Sequence, residues 1–219
     1  MTVMANESDT PTTDDTQPLD QPAPLVIKNV RFEKSGTRRE HFEIAPIMPQ
    51  IAFVGRSNVG KSSLINCLAN QRQLARVSNT PGRTQLVNFF AVNDTIRFVD
   101  LPGYGFAKTS KDVKATWDKM ITGYLMKNPY LRAVCTLFDI RRELSDEDYG
   151  LMDWLTGYEI PFVAIITKAD KLGRGAQVQA ARQFKQWLEP HKPVAIHLFS
   201  TSTRQGKDDL LATIGKLVA

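Results

Sequence analysis

Residues 50–66 read QIAFVGRSNVGKSSLIN, and this stretch decides the fold. Gln50–Val54 is an apolar run of strand length. It leads directly into Gly55, Arg56, Ser57, Asn58, Val59, Gly60, Lys61 and Ser62, which together satisfy G-x-x-x-x-G-K-S. Ser62–Asn70 continues with helical spacing. A strand, a glycine-rich turn and a helix in that order are the setting a phosphate-binding loop requires. Phosphate oxygens must be approached closely by consecutive backbone N–H groups, and glycine permits that curvature without a Cβ clash. The N-terminus of the following helix adds its positive dipole. In this reading Lys61 reaches the β- and γ-phosphates of a nucleotide as a catalytic cation, and Ser62 offers its hydroxyl to Mg2+.

Working outward, strand-like and helix-like segments alternate. Val26–Glu33 reads as an edge strand. Leu86–Val92 and Thr95–Val99 flank the turn-prone pair Asn93-Asp94 and predict an antiparallel hairpin. Ala133–Ile140, Phe162–Thr167 and Val194–Phe199 are continuous apolar runs of the sort buried in a parallel sheet. Helical patterns occupy about 112–127, 145–157, 176–189 and 207–218. The alternation predicts a three-layer α/β fold, with a mostly parallel sheet and helices on both faces.

Three further motifs sit at strand ends. The strand IRFVD closes on Asp100-Leu101-Pro102-Gly103, a D-x-x-G placed after the second strand beyond the phosphate loop. In a GTPase, Asp100 would hold a Mg2+-bound water and the Gly103 N–H would bond the γ-phosphate. Thr167-Lys168-Ala169-Asp170 follows the run 162–167 and has the form of the guanine-recognition element. Guanine presents two donors that one carboxylate accepts together. Adenine presents an acceptor at N1, so Asp170 would repel it. The Lys168 stem can pack over the base. Phe199-Ser200-Thr201, ahead of the last helix, would turn its backbone to guanine O6. Between the first two motifs lies Asn79–Gln85, where a switch threonine must serve Mg2+. Thr80 and Thr84 both qualify, and Thr84, just before the strand at 86–92, is chosen.

Composition bounds the rest. The 219 residues are 42% apolar and 23% charged, as in a soluble globular protein. Residues 1–24 carry five acids, four prolines and no Lys or Arg, and are expected to form a disordered acidic tail before one folded body, 25–219. The formal charge is +5, and without the tail 28 basic residues face 18 acidic ones, giving +10. A basic body suits a polyanion such as RNA, and ordinary solubilising charge would look the same. Cys67 and Cys135 cannot form a disulfide framework and read as small core residues. No secretory signal and no bilayer-length apolar stretch is visible, so a cytoplasmic location without membrane partners is expected. His41, His191 and His197 are scattered and suggest no metal site.

With these motifs in order, the chain resembles the TRAFAC-class small GTPases, which have a Ras-like G domain. Within them it closely resembles the EngB (YihA/YsxC) family of bacterial GTPases. The resemblance is carried by GRSNVGKSSLIN (55–66), TPGRTQLVNFF (80–90), FVDLPGYGFAK (98–108), Trp117, Asp139-Ile140-Arg141 and Thr167–Asp170. It spans about residues 25–217 and leaves out the tail. The family pattern implies that Gly55–Ser62, then Gly82, Arg83, Thr84, Gln85 and Leu86, then Asp100–Gly103, Thr167–Asp170 and Phe199–Thr201 contact GTP or GDP. It also implies that Ser62 and Thr84 ligate Mg2+. The family is implicated in large ribosomal subunit assembly and in normal cell division and septation. Phe-Ser-Thr stands where the family more usually has Phe-Ser-Ser, a change that a backbone contact tolerates.

Hydrolysis needs a water in line with the γ-phosphate. Many GTPases follow D-x-x-G with a Gln that orients it. Here that position is Tyr104, so slow intrinsic turnover is expected. Asn58 occupies the loop position at which related GTPases ligate K+, and two readings stand: a K+ ligand acting in catalysis, or a residue hydrogen-bonded within the loop. A ribosomal surface is the other candidate activator. Lys108, Lys111, Lys114 and Lys119 could grip rRNA in one nucleotide state, or form a solvated face. Trp117 reads as core. The overall expectation is a monomeric GTP-hydrolysing switch on the large ribosomal subunit or its rRNA. The alternative is a nucleotide-regulated binding module for a cell-division protein, with hydrolysis incidental.

Overall fold

The side chains of β2 (Gln50–Gly55) explain the layering. The strand is buried along its whole length. Ile51 and Phe53 join the core on one side of the sheet, while Ala52 and Val54 join the core on the other. A strand apolar on both faces needs cover on both. The computed structural model supplies that cover, and it describes residues 25–37, 41–42, 44–75, 86–105, 119–126 and 128–219. On the Phe53 side lie α1 (Lys61–Leu68) and α5 (Lys207–Val218), which contribute Leu64, Ile65, Leu210 and Ile214. On the Val54 side lie α2 (helical residues 119–125), α3 (Asp146–Gly157) and α4 (Arg174–Leu188), with Tyr124, Met152, Leu155, Phe184 and Leu188.

The sheet has the order β1 (Val30–Gly36), β3 (Val87–Val92), β4 (Ile96–Asp100), β2, β5 (Leu131–Asp139), β6 (Phe162–Thr167) and β7 (Ala195–Leu198). The pairs β4·β2, β2·β5, β5·β6 and β6·β7 are parallel, and β3 is antiparallel to both its neighbours. The chain leaves β2 toward β3 and β4 on one side and later returns to β5 on the other. The carboxyl end of β2 is therefore the switch point of the sheet, where open α/β folds place ligands.

The expected three-layer fold is present, with local corrections. The first strand lies at 30–36 rather than 26–33. Residues 26–29 are instead stapled by the hairpin-turn residue Asn93, whose Oδ1 accepts from the Lys28 and Asn29 N–H groups while its Nδ2 donates to the Val26 carbonyl. β7 was expected to be buried, but it is an edge strand and only half-buried. Cys135 is buried as expected, whereas Cys67 is partly exposed. Of the helix expected at 112–127, residues 112–118 and 127 lie outside the described residues, as do the tail, Trp117 and Lys108–Lys114.

Candidate nucleotide site

The turn after β2 is shaped by two glycines with different constraints. A Cβ on Gly55 would stand 2.9 Å from Val59 Cγ1 and 3.0 Å from the Leu137 carbonyl oxygen of β5. Space forbids it there. At Gly60 space is open, but φ is +109, so the backbone itself selects glycine. Gly60 caps α1 without a side-chain hydrogen bond, and the first turn holds no acidic residue. The orphan N–H groups of that turn are thus free of a competing carboxylate, as an anion site requires. Residues 56–59 also wall a cavity of about 30 Å³. That is room for a water or two, not for a nucleotide. Ser57 Oγ is buried without a hydrogen-bond partner among the described residues.

Register brings the D-x-x-G segment against this loop. Phe53 of β2 pairs with Asp100 of β4. Beyond the strands the two segments stay together: the Tyr104 N–H donates to the Gly55 carbonyl at 3.3 Å, and the Ser57 N–H donates to the Tyr104 carbonyl at 3.0 Å. The Lys61 ammonium donates to Asp100 Oδ1 in an ion pair whose side chains are 11% and 5% exposed. Asn88 of β3 reaches the other carboxylate oxygen at 3.4 Å. The cation and carboxylate that the sequence separates by 39 positions are therefore in contact.

Tyr104, at the usual Gln position, points away from this cluster. Its hydroxyl donates to Asp148 Oδ1 at 2.7 Å in the core beside α3. Burial, and next to it the Asp148 charge, push the phenol well above its ordinary range, so it stays protonated. Asp148 completes a reciprocal cap with Ser145 at the start of α3.

The guanine-type motif is assembled from β6 and the loop after β7. Thr167 is buried, and its hydroxyl lies 2.8 Å from the Val59 carbonyl and 2.9 Å from the Phe138 carbonyl. Lys168 adopts a left-handed conformation, φ +61, and donates to the Asn58 carbonyl at 2.7 Å and to Asp139 Oδ2 at 2.9 Å. What the loop takes from Asn58 is its carbonyl, and the residue itself is exposed with φ +63. The Ala169 N–H donates to the Phe199 carbonyl at 3.1 Å. Ser200 Oγ donates to Asp170 Oδ1 at 2.7 Å. That bond, chiefly, holds the Asp170 carboxyl below its usual range. Thr201 is exposed beside it.

Arg56–Ser62, Asp100–Gly103, Thr167–Asp170 and Phe199–Thr201 thus gather at the carboxyl end of the sheet. Leu86, 40% exposed, is the described end of the switch segment. Gly82, Arg83, Thr84 and Gln85 lie outside the described residues. Sequence reasoning named Asp139 and Arg141 without a role and missed Ser200 as a partner of Asp170. No spacing signal marked the second, because the two residues lie 30 positions apart and meet only through the fold.

A family model described as 50S ribosome-binding GTPase matches residues 50–168. The chain is 44% identical over 194 residues to the probable GTP-binding protein EngB of Geobacter sp. (strain M21), covering 89% of this chain and 90% of that protein. Against the probable GTP-binding protein EngB of Syntrophus aciditrophicus (strain SB) it is 47% identical over 193 residues, 88% and 96% of the two. The chain belongs to the EngB family. As an EngB-family protein it is a GTPase that binds guanine nucleotides. A crystal structure of a probable EngB GTP-binding protein superposes with a TM-score of 0.62 at 21% identity, covering 77% of this chain and 98% of that one. Era, in complex with MgGDPNP and nucleotides 1506–1542 of 16S ribosomal RNA, superposes with 0.63 at 20% identity, covering 78% and 57%. These likenesses fix the fold as the P-loop GTPase G domain. Among the described residues no helix is long and apolar enough to cross a membrane.

Proposed function

We propose that this EngB-family GTPase is a monomeric, cytoplasmic, Mg2+-dependent switch in large ribosomal subunit assembly, and that normal cell division and septation depend on it. The observation that carries the reading is the match of residues 50–168 to a family of 50S ribosome-binding GTPases. The +10 body beyond residue 24 suits an RNA-rich partner, and the structurally similar Era is described on ribosomal RNA.

The roles of the residues follow from their chemistry. Gly55–Ser62 cradle the phosphates with backbone N–H groups. Lys61, paired with Asp100 in this structure, exchanges that carboxylate for phosphate oxygens. The exchange frees Asp100 to face the metal side, with Leu101 and Pro102 carrying the chain to Gly103 at the γ-phosphate. The uncapped, acid-free start of α1 fits a bound anion, and Ser62 on that turn fits a metal-ligand hydroxyl. Ser62 and Thr84 would hold Mg2+, which supplies charge neutralisation at the phosphates when bound. Gly82–Leu86, as the first switch, would contact GTP. Asp170 reads guanine, with Phe199–Thr201 beside it.

Intrinsic turnover is slow in this reading, because residue 104 is a tyrosine whose hydroxyl donates to Asp148 rather than a Gln that could orient water. The exposed Asn58 amide is the proposed K+ ligand. Replacing Na+ by K+ should then raise GTP hydrolysis, and Asn58→Ala should abolish the difference. Equal rates in the two salts would remove Asn58 from catalysis.

Co-sedimentation with 50S particles tests the main reading. Binding is expected to differ between GDP and a non-hydrolysable GTP analogue, and the particles should stimulate hydrolysis. Absence of both effects would leave the division-protein module as the surviving reading.

A further inference from the structure

β5 ends on Asp139, directly opposite Thr167 of β6. Its side chain is only 6% exposed. A carboxylate that deep is costly unless its lone pairs are used. Among the described residues, the donors to its carboxylate are on two neighbours. Arg141 donates from its backbone N–H at 3.1 Å and from Nε at 2.9 Å to Oδ1, and from Nη2 at 2.7 Å to Oδ2. Lys168 Nζ donates to Oδ2 at 2.9 Å and, with the same ammonium, to the Asn58 carbonyl of the phosphate loop at 2.7 Å. The Lys168 stem crosses from β6 to the loop, and its Cε lies 4.0 Å from where a Cβ of Gly60 would stand.

Burial pushes the Asp139 carboxyl up, but the hydrogen bonds from Arg141 and Lys168 outweigh it and hold the group well below the usual carboxylate range. It therefore carries its charge at neutral pH.

We propose that Asp139, clamped by Arg141, is a positioning residue for guanine nucleotide: it fixes the Lys168 ammonium against the phosphate loop, so that the lysine stem is already laid along one wall of the site before the base arrives. The inference rests on the guanine-nucleotide reading of the site. Without the carboxylate, Lys168 keeps one bond to a neutral carbonyl and regains rotamer freedom that must be given up on binding. Asp139 touches no nucleotide in this proposal. Its whole effect passes through Lys168.

A double-mutant cycle reads that dependence directly. The probe is N-methylanthraniloyl-GDP, titrated at equilibrium by fluorescence with the full-length protein. Asp139→Asn, close in shape but uncharged, should raise Kd about tenfold, which corresponds to about 1.4 kcal/mol. Lys168→Ala should raise it further. In the Lys168→Ala background, Asp139→Asn should add less than twofold. An unchanged Kd for Asp139→Asn alone, or losses that simply multiply in the double mutant, would overturn the proposal. A purely structural aspartate would lower the melting temperature and yet give one of those two results in the folded fraction. If Asp139→Asn does not fold, Arg141→Gln replaces it, since that side chain is 44% exposed. It should raise Kd by about threefold in the wild-type background, a fraction of the same charge-assisted contact, and by nothing in Lys168→Ala. The same two failures would count against the idea. A wild-type protein that did not prefer GDP to ADP would instead sink the guanine reading itself.

Discussion

In the proposed function, base selectivity turns on a single side chain, Asp170. Its Oδ1 accepts from the Ser200 hydroxyl at 2.7 Å and its Oδ2 lies 3.2 Å from the Lys171 ammonium. Asp170→Asn replaces an acceptor with a donor facing guanine. GTP and GDP affinity should fall at least tenfold, about 1.4 kcal/mol, and xanthine nucleotides should gain relative affinity. Unchanged selectivity in a competition titration would remove Asp170 from base recognition. The pH dependence has a definite sign. The folded carboxyl is held below its usual range, chiefly by the Ser200 hydrogen bond, so its charge persists to lower pH than that of a free carboxylate and is lost as pH falls further. Ser200→Ala removes the largest cause, and the acid limb of GDP binding should move to higher pH. Asp170 was legible in the sequence as a candidate, because guanine's two donors call for a carboxylate. Its hydroxyl partner was not, because nothing in a spacing of 30 positions says which side chains meet. Only the parallel pairing of β6 and β7 brings them together.

At the scale of elements, the strands around the P-loop were legible from apolar runs, and their ends were not. Val26–Glu33 reads as a strand, yet Val26 and Phe32 are exposed, and the strand begins at Val30, where β3 offers backbone partners. The chain pairs on through the polar Lys34-Ser35-Gly36, which oppose Phe89, Asn88 and Val87. Arg97 makes the same point inside β4. It breaks an otherwise apolar strand, yet its side chain is fully buried, with its guanidinium on Glu33 of β1 and on the Pro46 carbonyl. Alternation alone would have turned it toward water. Glu33→Gln should therefore be severe: it strands a buried guanidinium, at a cost of about 3 kcal/mol. For a domain of this size that lowers the melting temperature by about 6–12 °C. A scanning calorimetry shift under 2 °C would mean that the pair contributes little. Tyr104→Phe should be mild by comparison, because it deletes a hydrogen bond and keeps the ring within the core cluster. It should leave intrinsic hydrolysis near the wild-type rate. A large loss of hydrolysis would return the phenol to the chemistry.

The sheet concentrates the candidate nucleotide motifs at one end of the molecule, away from its flanks. One flank is α4, whose 15 residues include Arg174, Arg182 and Lys185 and no acid. The acids of residues 1–24 pull the other way. Leu25 and Ile27 pack against the α1–α5 side of the core, so a cut before Leu25 keeps those contacts. Truncation there raises the formal charge from +5 to +10, because it removes five acids and no base. Guanine nucleotide affinity should not change, since no nucleotide motif precedes residue 55. Association with large-subunit particles should tighten at low salt and converge with the full-length protein as ionic strength rises, since the added attraction between exposed charges is screened within about 10 Å at 0.1 M salt. Sedimentation across a salt series measures both limits. Identical curves would mean that the acidic segment only adds solubility, and a melting shift of more than a few degrees would mean that it packs on the body. A gain confined to low salt would show the segment acting as an electrostatic counterweight, one that sets how strongly the basic body holds RNA without touching the site that reads the nucleotide.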